Sequence, residues 1–167
     1  MKVKVTLLLL FVSTMLFAQE RGDKFSDRMT YGGNIGLVFG SQTIIDISPR
    51  VGYYVTDQFI AGVGLSYKYF KFNNFSDNLY GGSVFGRFFI TEQFFLHAET
   101  EMTNLTAYRV VGDFIVTQQR TWINSTMVGG GFRSGPFILS ALYIVNHNPN
   151  TSPYGASPLI IQGGIMF

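Results

Sequence analysis

The sequence predicts an all-β protein built as an eight-stranded antiparallel up-and-down barrel, and three observations lead to this prediction. Aromatic residues make up 16% of the chain and charged residues only 13%, which is about half the charged share of an ordinary soluble domain. Runs rich in Val, Ile, Thr, Tyr and Phe alternate between apolar and polar positions, and turn residues separate them. No segment keeps a helical period, and the 19 glycines and five prolines disfavour helix further.

The N-terminal segment 1–18 is predicted to be a secretory signal peptide. Lys2 and Lys4 supply a basic start, an apolar stretch follows, and Ala18 is the small residue before a predicted cut at Gln19. The apolar stretch is too short for a permanent membrane anchor, and we expect a helix detached from the barrel. Cleavage removes two lysines and leaves ten basic and ten acidic residues, so no basic excess points to nucleic acid.

A short polar lead, 19–29, precedes eight predicted strands that form a barrel domain over 30–167. The strands are expected near 30–40, 43–55, 59–70, 80–90, 94–105, 119–133, 137–147 and 157–167. Tight turns are expected at 56–58, 91–93 and 134–136, and longer loops at 71–79, 106–118 and 148–156. The first connection, around Gly40-Ser41-Gln42, is short. Short turns at one end and long loops at the other are typical of barrels that span an outer membrane.

The two faces of each predicted strand differ in polarity. On the second strand, Ile45, Ile47 and Val51 share one face, and Asp46 and Arg50 share the other. A soluble barrel would bury the apolar face and would need a charged outer wall, for which the chain has too few charges. The inverse arrangement, with lipid outside and polar residues inside, therefore predicts a transmembrane β-barrel.

Aromatic residues near the strand ends predict two girdles at the membrane interfaces. The turn-side girdle comprises Tyr31, Tyr53, Phe59, Phe94, Phe132, Phe137 and Phe167, and the loop-side girdle comprises Tyr67, Tyr69, Tyr80 and Trp122. The sixth and seventh strands are ambiguous in parity. Phe132 and Phe137 cannot both face outward across a three-residue turn, so we expect a bulge or a different turn between them.

Seven titratable residues on inward positions predict an ionic network inside the barrel. They are Asp46, Arg50, Lys68, Arg87, His97, Glu99 and Glu101. If Pro49 causes no bulge, the predicted turns set Asp46 opposite Lys68, Arg50 opposite Gly64, Arg87 opposite His97 and Ser83 opposite Glu101. We expect Asp46 to pair with Lys68, and Arg50 and Arg87 to reach Glu99 or Glu101. Breaking a buried ion pair costs about 3–5 kcal/mol, so these pairs would act as a plug.

Few residues in the sequence suggest catalysis or metal binding. The chain has two histidines and no cysteine, which argues against a transition-metal site. His97 shares its face with Glu99 and Glu101, and Ser83 lies on the neighbouring strand, so spacing alone leaves a Ser–His–acid triad open. Eight-stranded barrels are filled by side chains and leave no room for a substrate. We therefore expect no enzyme activity and no cofactor.

The segment 106–118 has a pattern of its own. Gly112-Asp113 resembles a hairpin turn, and two groups of apolar residues flank it: Tyr108, Val110 and Val111 on one side, and Phe114, Ile115 and Val116 on the other. The fifth and sixth strands are therefore expected to continue past the membrane as a projecting arm. Cross-strand parity does not close with two turn residues, so a bulge or a longer turn is expected. Exposed apolar residues on this arm would be the partner-binding surface.

Over residues 30–167 the chain resembles the bacterial outer-membrane β-barrel family, of the small eight-stranded type related to outer-membrane protein A. The residues that carry the resemblance are Ile47-Ser48-Pro49-Arg50-Val51-Gly52-Tyr53-Tyr54, Thr56-Asp57-Gln58, Gly62-Val63-Gly64-Leu65-Ser66-Tyr67 and Ile161-Gln162-Gly163-Gly164-Ile165-Met166-Phe167. The resemblance implies a Gram-negative host, an outer-membrane location and contact with its lipid. It also implies that the barrel-assembly machinery reads Ile161, Ile165 and Phe167. It implies no activity, because this fold serves many functions.

The predicted function is a non-enzymatic outer-membrane barrel with a structural or surface-interaction, adhesin-like role. Its loops would contact an extracellular partner, its interior would be closed by the polar plug, and nucleic acid would not be a partner. One alternative is a narrow channel for small apolar compounds, which inward Gly and Ser favour and inward Tyr54, Phe85, Phe89 and Phe95 oppose. Another alternative is a lipid-modifying enzyme, which requires His97 or His147 to meet a serine and a carboxylate on the lipid side.

Overall fold

A computed structural model describes residues 25–38, 42–72, 75–111, 114–148, 152–154 and 157–167. A short 3-10 helix, Phe25–Arg28, leads into the first strand. The eight strands are β1 (Met29–Val38), β2 (Gln42–Tyr54), β3 (Phe59–Phe72), β4 (Phe75–Phe89), β5 (Phe94–Val111), β6 (Phe114–Ser134), β7 (Phe137–Ile144) and β8 (Leu159–Met166).

The eight strands form one closed barrel in which each strand pairs with the next along the chain and β8 pairs with β1. All eight pairings are antiparallel. The predicted eight-stranded up-and-down fold is therefore confirmed. Within the described residues, no helix is long and apolar enough to cross a membrane.

The register between β2 and β3 follows the prediction. Asp46 lies opposite Lys68, and Arg50 lies opposite Gly64. No register pair joins Ser48 or Pro49 to β3, yet the offset between the two strands is the same on either side of this gap. Pro49 has no N–H to donate to the ladder, but it interrupts the pairing without a bulge. Asp46 and Arg50 therefore stay on the same, inward face.

The register between β4 and β5 also follows the prediction. Arg87 lies opposite His97, and Ser83 lies opposite Glu101. A tight turn of four residues, 90–93, fixes this register, because the backbone N–H of Ile90 donates to the carbonyl of Phe94.

The turn between β6 and β7 differs from the predicted three-residue turn. Ser134 pairs with Phe137, so the turn contains only Gly135 and Pro136. Gly135 has a φ of 57°, and a positive φ at the first central position followed by proline fits a type II′ hairpin turn. This shorter turn resolves the ambiguous parity, because Phe132 and Phe137 are now both exposed on the outer wall.

The loop-side connections of the long strands are hairpins. The predicted loop over 71–79 is wrong, because β3 and β4 remain paired up to Phe72 and Phe75. The fifth and sixth strands continue as predicted: β5 and β6 stay paired up to Val111 and Phe114, with an irregularity between Thr106 and Tyr108.

The barrel interior contains two apolar clusters and a set of buried charged residues, which we call the charged layer. Near the turns, the apolar cluster comprises Ile60, Phe85, Phe89, Phe95, Ile138 and Met166. Towards the loops, a second apolar cluster comprises Met127, Leu142 and Ile144. Glu99 lies opposite Phe85 on one side and Met127 on the other, so charged and apolar side chains share the interior, and the partners of the charged residues are important for stability.

Several predictions lie outside the described residues. These are the signal peptide with its cut between Ala18 and Gln19, the first part of the polar lead, the connection around Gly40-Ser41, and the turn at Gly112-Asp113. The structure also leaves the side chains of 107–119 undescribed, so the apolar character of the arm stays a prediction.

Candidate functional site

The interior charged layer brings the seven predicted residues to the inner face of the barrel. Alternation along β2, β3, β4 and β5 turns them inward, and Lys68, Arg87, His97, Glu99 and Glu101 are at most 4% exposed. Such burial disfavours charge unless the charged groups are paired.

Glu101 on β5 accepts hydrogen bonds from four side chains. Lys68 Nζ forms an ion pair with Glu101 Oε1 at 2.8 Å. Ser66 Oγ donates to the same oxygen at 2.5 Å, and Thr103 Oγ1 donates to it at 3.1 Å. Tyr154, which precedes β8, donates its hydroxyl to Glu101 Oε2. This carboxylate is therefore fully occupied, as a buried charge requires.

A second ionic group centres on Glu99. Arg50 Nη2 lies 2.8 Å from Glu99 Oε2, and His97 Nε2 lies 3.0 Å from the same oxygen. The His97 ring stacks on Phe85 with centroids 5.7 Å apart. The expected contact between Arg50 and Glu99 across the barrel is thus present, and His97 joins it.

Two of the expected pairs are wrong. Asp46 lies opposite Lys68 but accepts a hydrogen bond from Ser48 Oγ at 2.6 Å, while Lys68 turns to Glu101, where it also meets Tyr154. Within the described residues, no ion pair joins Arg87 to Glu99 or Glu101.

Arg87 instead packs among aromatic and sulfur atoms. Its guanidinium carbon lies 4.6 Å from the centroid of the Phe95 ring and 5.8 Å from that of Phe85. Its Nη1 lies 3.1 Å from Met166 Sδ. Arg50 and His97 already occupy Glu99, so cation–π contacts take the place of a carboxylate.

Tyr154, like Ser66 and Thr103, is a partner of Glu101 that the sequence did not predict. Its hydroxyl accepts a hydrogen bond from Lys68 Nζ at 2.9 Å, and Lys68 Nζ lies 4.0 Å from the centre of its ring. Burial and the nearby Glu101 raise the pKa of the Tyr154 phenol well above its usual value, so the phenol stays a donor to Glu101. Loop residues have no alternation pattern, so the sequence predicted only a longer loop over 148–156 here.

The outer wall of the barrel is apolar and has aromatic residues at both ends. The exposed members of the predicted turn-side girdle are Tyr31, Phe59, Phe94, Phe132, Phe137 and Phe167, and those of the loop-side girdle are Tyr67, Tyr80 and Trp122. Tyr53 and Tyr69 are half-buried. Between the girdles the wall exposes aliphatic residues such as Val63, Leu65 and Val84.

The residues of the predicted assembly signal also lie on this wall. Ile161 and Phe167 are about 70% exposed and Ile165 is less so. The backbone of Phe167 exchanges two hydrogen bonds with that of Tyr31, at 2.8 and 3.1 Å. These bonds help to close the barrel between its first and last strands.

The two histidines differ in their surroundings. His97 is buried against Glu99, whereas His147 is half-buried beyond the end of β7. In the part of the chain that the structure describes, no three His, Cys, Asp or Glu residues are grouped so that they could hold a metal ion.

The strand pairing and the exposure of the side chains show a closed eight-stranded barrel with an apolar outer wall and a charged interior. Among solved structures, the crystal structure of the N-terminal β-barrel domain of Pseudomonas aeruginosa OprF matches with a TM-score of 0.50 and 14% identity, and the match covers 84% of this chain and 98% of that chain. At this identity the likeness shows the fold, and it agrees with the predicted resemblance to small eight-stranded barrels. No protein-family model and no curated protein sequence matches the chain.

Proposed function

We propose that the protein is an integral outer-membrane β-barrel of a Gram-negative bacterium, with a structural or surface-interaction role and no enzyme activity. The observation that carries this proposal is the inverted polarity of the barrel. Apolar and aromatic side chains cover the outer wall, and the ion pairs of Glu99 and Glu101 lie inside. A bilayer stabilises this arrangement, because the apolar wall contacts lipid and the strands of the closed sheet hydrogen-bond to one another.

The filled interior argues for a closed barrel over a channel for small apolar compounds. Phe85, Phe89 and Phe95 point inward near the turns, and Arg50 and Lys68 hold carboxylates across the middle. A permeating apolar compound would have to displace buried aromatic rings and separate ion pairs, which is costly.

The surface-interaction role rests on the loop-side hairpins. Past Asn104 and Trp122, β5 and β6 pair with each other and have no register pair with β4 or β7. They therefore form a two-stranded arm beyond the barrel. A paired two-stranded arm outside the cell is suited to contact an extracellular partner, which supports an adhesin-like function.

Fractionation and electrophoresis test this proposal. The protein should be found in the outer-membrane fraction and should migrate faster in SDS gels without heating than after boiling, because a closed barrel resists detergent. Purified protein should then produce no single-channel current steps in a planar bilayer. Regular current steps would contradict the proposal that the barrel interior is closed. Recovery of the protein in a soluble fraction would contradict the proposed membrane location.

A further inference from the structure

An apolar groove of about 540 Å³ lies on the outer wall of the barrel, towards the loop side. Its lining residues are Ile47, Pro49, Leu65, Ser66, Tyr67, Tyr80, Gly81 and Trp122. This volume is within the range of pockets that hold small ligands. We call this feature the outer groove.

The outer groove coincides with the gap in pairing between β2 and β3. Ser48 and Pro49 have no register partner on β3, and beside them Gly82 lies opposite Leu65. Gly82 is on the outward parity of β4, between Tyr80 and Val84, and a Cβ there would have space, with its nearest atom 3.6 Å away. Gly82 has no side chain to fill the outer wall, and the pairing of β2 with β3 is interrupted beside it. These two features explain why a groove forms here.

The loop-side end of the outer groove is polar and aromatic. Tyr80 and Trp122 meet edge to face, with ring centroids 6.1 Å apart. Between them in the register lies Asn104, which is buried and has no hydrogen-bond partner for its side-chain oxygen among the described residues. The Tyr67 hydroxyl donates to Asn78 Oδ1 at 2.7 Å. Tyrosine and tryptophan side chains are enriched at the membrane interface, where the acyl chains of a lipid meet its polar headgroup.

Arg120 adds a positive charge above this end. Its guanidinium carbon lies 4.9 Å from the centroid of the Tyr80 ring, and one N–H donates to the carbonyl of Asn78. Asp77 lies 3.7 Å away, but its side chain is only 12% exposed whereas that of Arg120 is 41% exposed. Arginine has five N–H donors in a fork that suits phosphate, so the exposed part of the group remains free to meet an anion from the membrane side.

We propose that the outer groove binds one anionic, phosphate-bearing lipid of the loop-side leaflet. An acyl chain lies along Pro49 and Leu65, and the phosphate lies beside Arg120. The apolar part of the outer groove, its aromatic end and the exposed guanidinium of Arg120 follow one another in the same order as the acyl chain, the interfacial region and the phosphate of such a lipid. This inference rests on the proposed membrane location.

Trp122 is the single tryptophan of the chain, so its fluorescence reports on this site directly. We would fold the protein into phosphatidylcholine vesicles that contain brominated phosphatidylglycerol, and in parallel into phosphatidylglycerol vesicles that contain brominated phosphatidylcholine. Quenching as a function of the brominated fraction gives the relative association constant of the two lipids at Trp122. We expect phosphatidylglycerol to be favoured in the parent protein.

Matched variants separate the site from general surface charge. Arg120→Gln should lower the preference for phosphatidylglycerol by about fivefold, because a basic side chain in contact with an anionic headgroup contributes about that much. Lys71→Gln removes an equal charge from β3 and should leave the preference unchanged. Gly82→Leu should lower it with Arg120 intact, because the new side chain fills the trough beside Leu65.

Two outcomes would overturn the inference, and they differ from failure of the proposed function. Equal association constants in the parent protein, or equal losses in Arg120→Gln and Lys71→Gln, would show ordinary lipid contact without a site. Absence of quenching by either lipid would instead mean that Trp122 does not face a bilayer at all, which would contradict the proposed membrane location.

Discussion

At the scale of single residues, Glu101 joins three parts of the barrel. Ser66 and Lys68 reach it from β3, Thr103 from its own strand, and Tyr154 from the segment that precedes β8. Removing one partner of a buried ion pair leaves the other charge uncompensated. The interior should therefore respond much more strongly to changes at Glu101 than at Asp46, which accepts a hydrogen bond from Ser48.

Glu101→Gln should lower the free energy of unfolding by about 3–5 kcal/mol, because Lys68 would stay buried without an opposite charge. Asp46→Asn is the matched control. Asp46 accepts from Ser48 and forms no ion pair within the described residues, so its loss should cost about 1 kcal/mol. Urea unfolding of both variants in lipid vesicles measures this difference. Equal losses would show that the Lys68–Glu101 pair has no special part in stability.

Tyr154→Phe tests the contribution of the loop residue to the interior. The variant keeps the ring over Lys68 and removes only the hydroxyl that bonds to Lys68 and Glu101. Hydrogen bonds to charged groups contribute about 1.5–3 kcal/mol, and we expect a loss in that range by the same measurement. Tyr143→Phe, which alters an exposed tyrosine of the outer wall, should have no effect. If Tyr154→Phe left the free energy of unfolding unchanged, the hydroxyl of Tyr154 would not form the hydrogen bonds to Lys68 and Glu101 described above.

Sequence reasoning identified the inward charges but not all of their partners. Parity and turn position are enough to set Asp46 opposite Lys68 and Arg87 opposite His97. Parity and turn position do not show how far a long side chain extends across the barrel. They therefore predict a pair between Lys68 and its neighbour Asp46 on β2, and not the observed pair with Glu101 two strands away. Tyr154 escaped notice because loop conformation has no periodic signal.

At the scale of elements, the turn between β6 and β7 depends on one backbone conformation. Gly135 has a φ of 57°, and an L-residue in the left-handed region costs roughly 1–2 kcal/mol. Gly135→Ala should therefore lower stability by about 1 kcal/mol, although no atom lies near the added methyl. Gly163→Ala, which also has open space but no positive φ, should be neutral. Equal melting temperatures of the two variants would contradict the assigned turn.

The β5–β6 arm is predicted to be dispensable for the barrel itself. Replacing 108–116 with a short turn removes strand segments that pair only with each other, so the shift in gel mobility on heating should persist. Binding to the extracellular partner should be lost in the same variant. Loss of the heat-dependent shift would show that the arm is part of the folding unit and would remove the reason for assigning it to recognition.

Strand bounds were predicted best where a turn or a change of polarity marks the end. The turns at 56–58 and 91–93 agree closely with the observed ends of β2, β3, β4 and β5. On the loop side, the polar residues Ser76, Asp77 and Asn78 predict a loop, because such residues favour turns. They instead form the paired end of β4, since a strand that has left the lipid no longer needs apolar residues.

At the scale of the whole molecule, the inverted polarity follows from composition. A chain with 47% hydrophobic and 13% charged residues cannot cover a soluble barrel of this size with charge. Its few charges are sufficient for a narrow interior, where Arg50, Lys68 and Arg87 balance Asp46, Glu99 and Glu101. Closure of the barrel then joins β1 to β8 through the pairs from Gly32 to Asn34, so the sheet has no fully open edge, which backbone in lipid requires.

The most direct test of this account is the accessibility of spin labels along β3. The chain contains no cysteine, so Val63→Cys, Leu65→Cys and, as a solvent-exposed control in a turn, Gln93→Cys can each be labelled alone and folded into vesicles. Val63 and Leu65 are 57% and 68% exposed on the outer wall. Labels at these two positions should collide with oxygen, which dissolves in lipid, and not with a water-soluble nickel complex, whereas the label at Gln93 should do the reverse. Labels at 63 and 65 that collide with the nickel complex as readily as the label at 93 would contradict a barrel whose outer wall faces lipid.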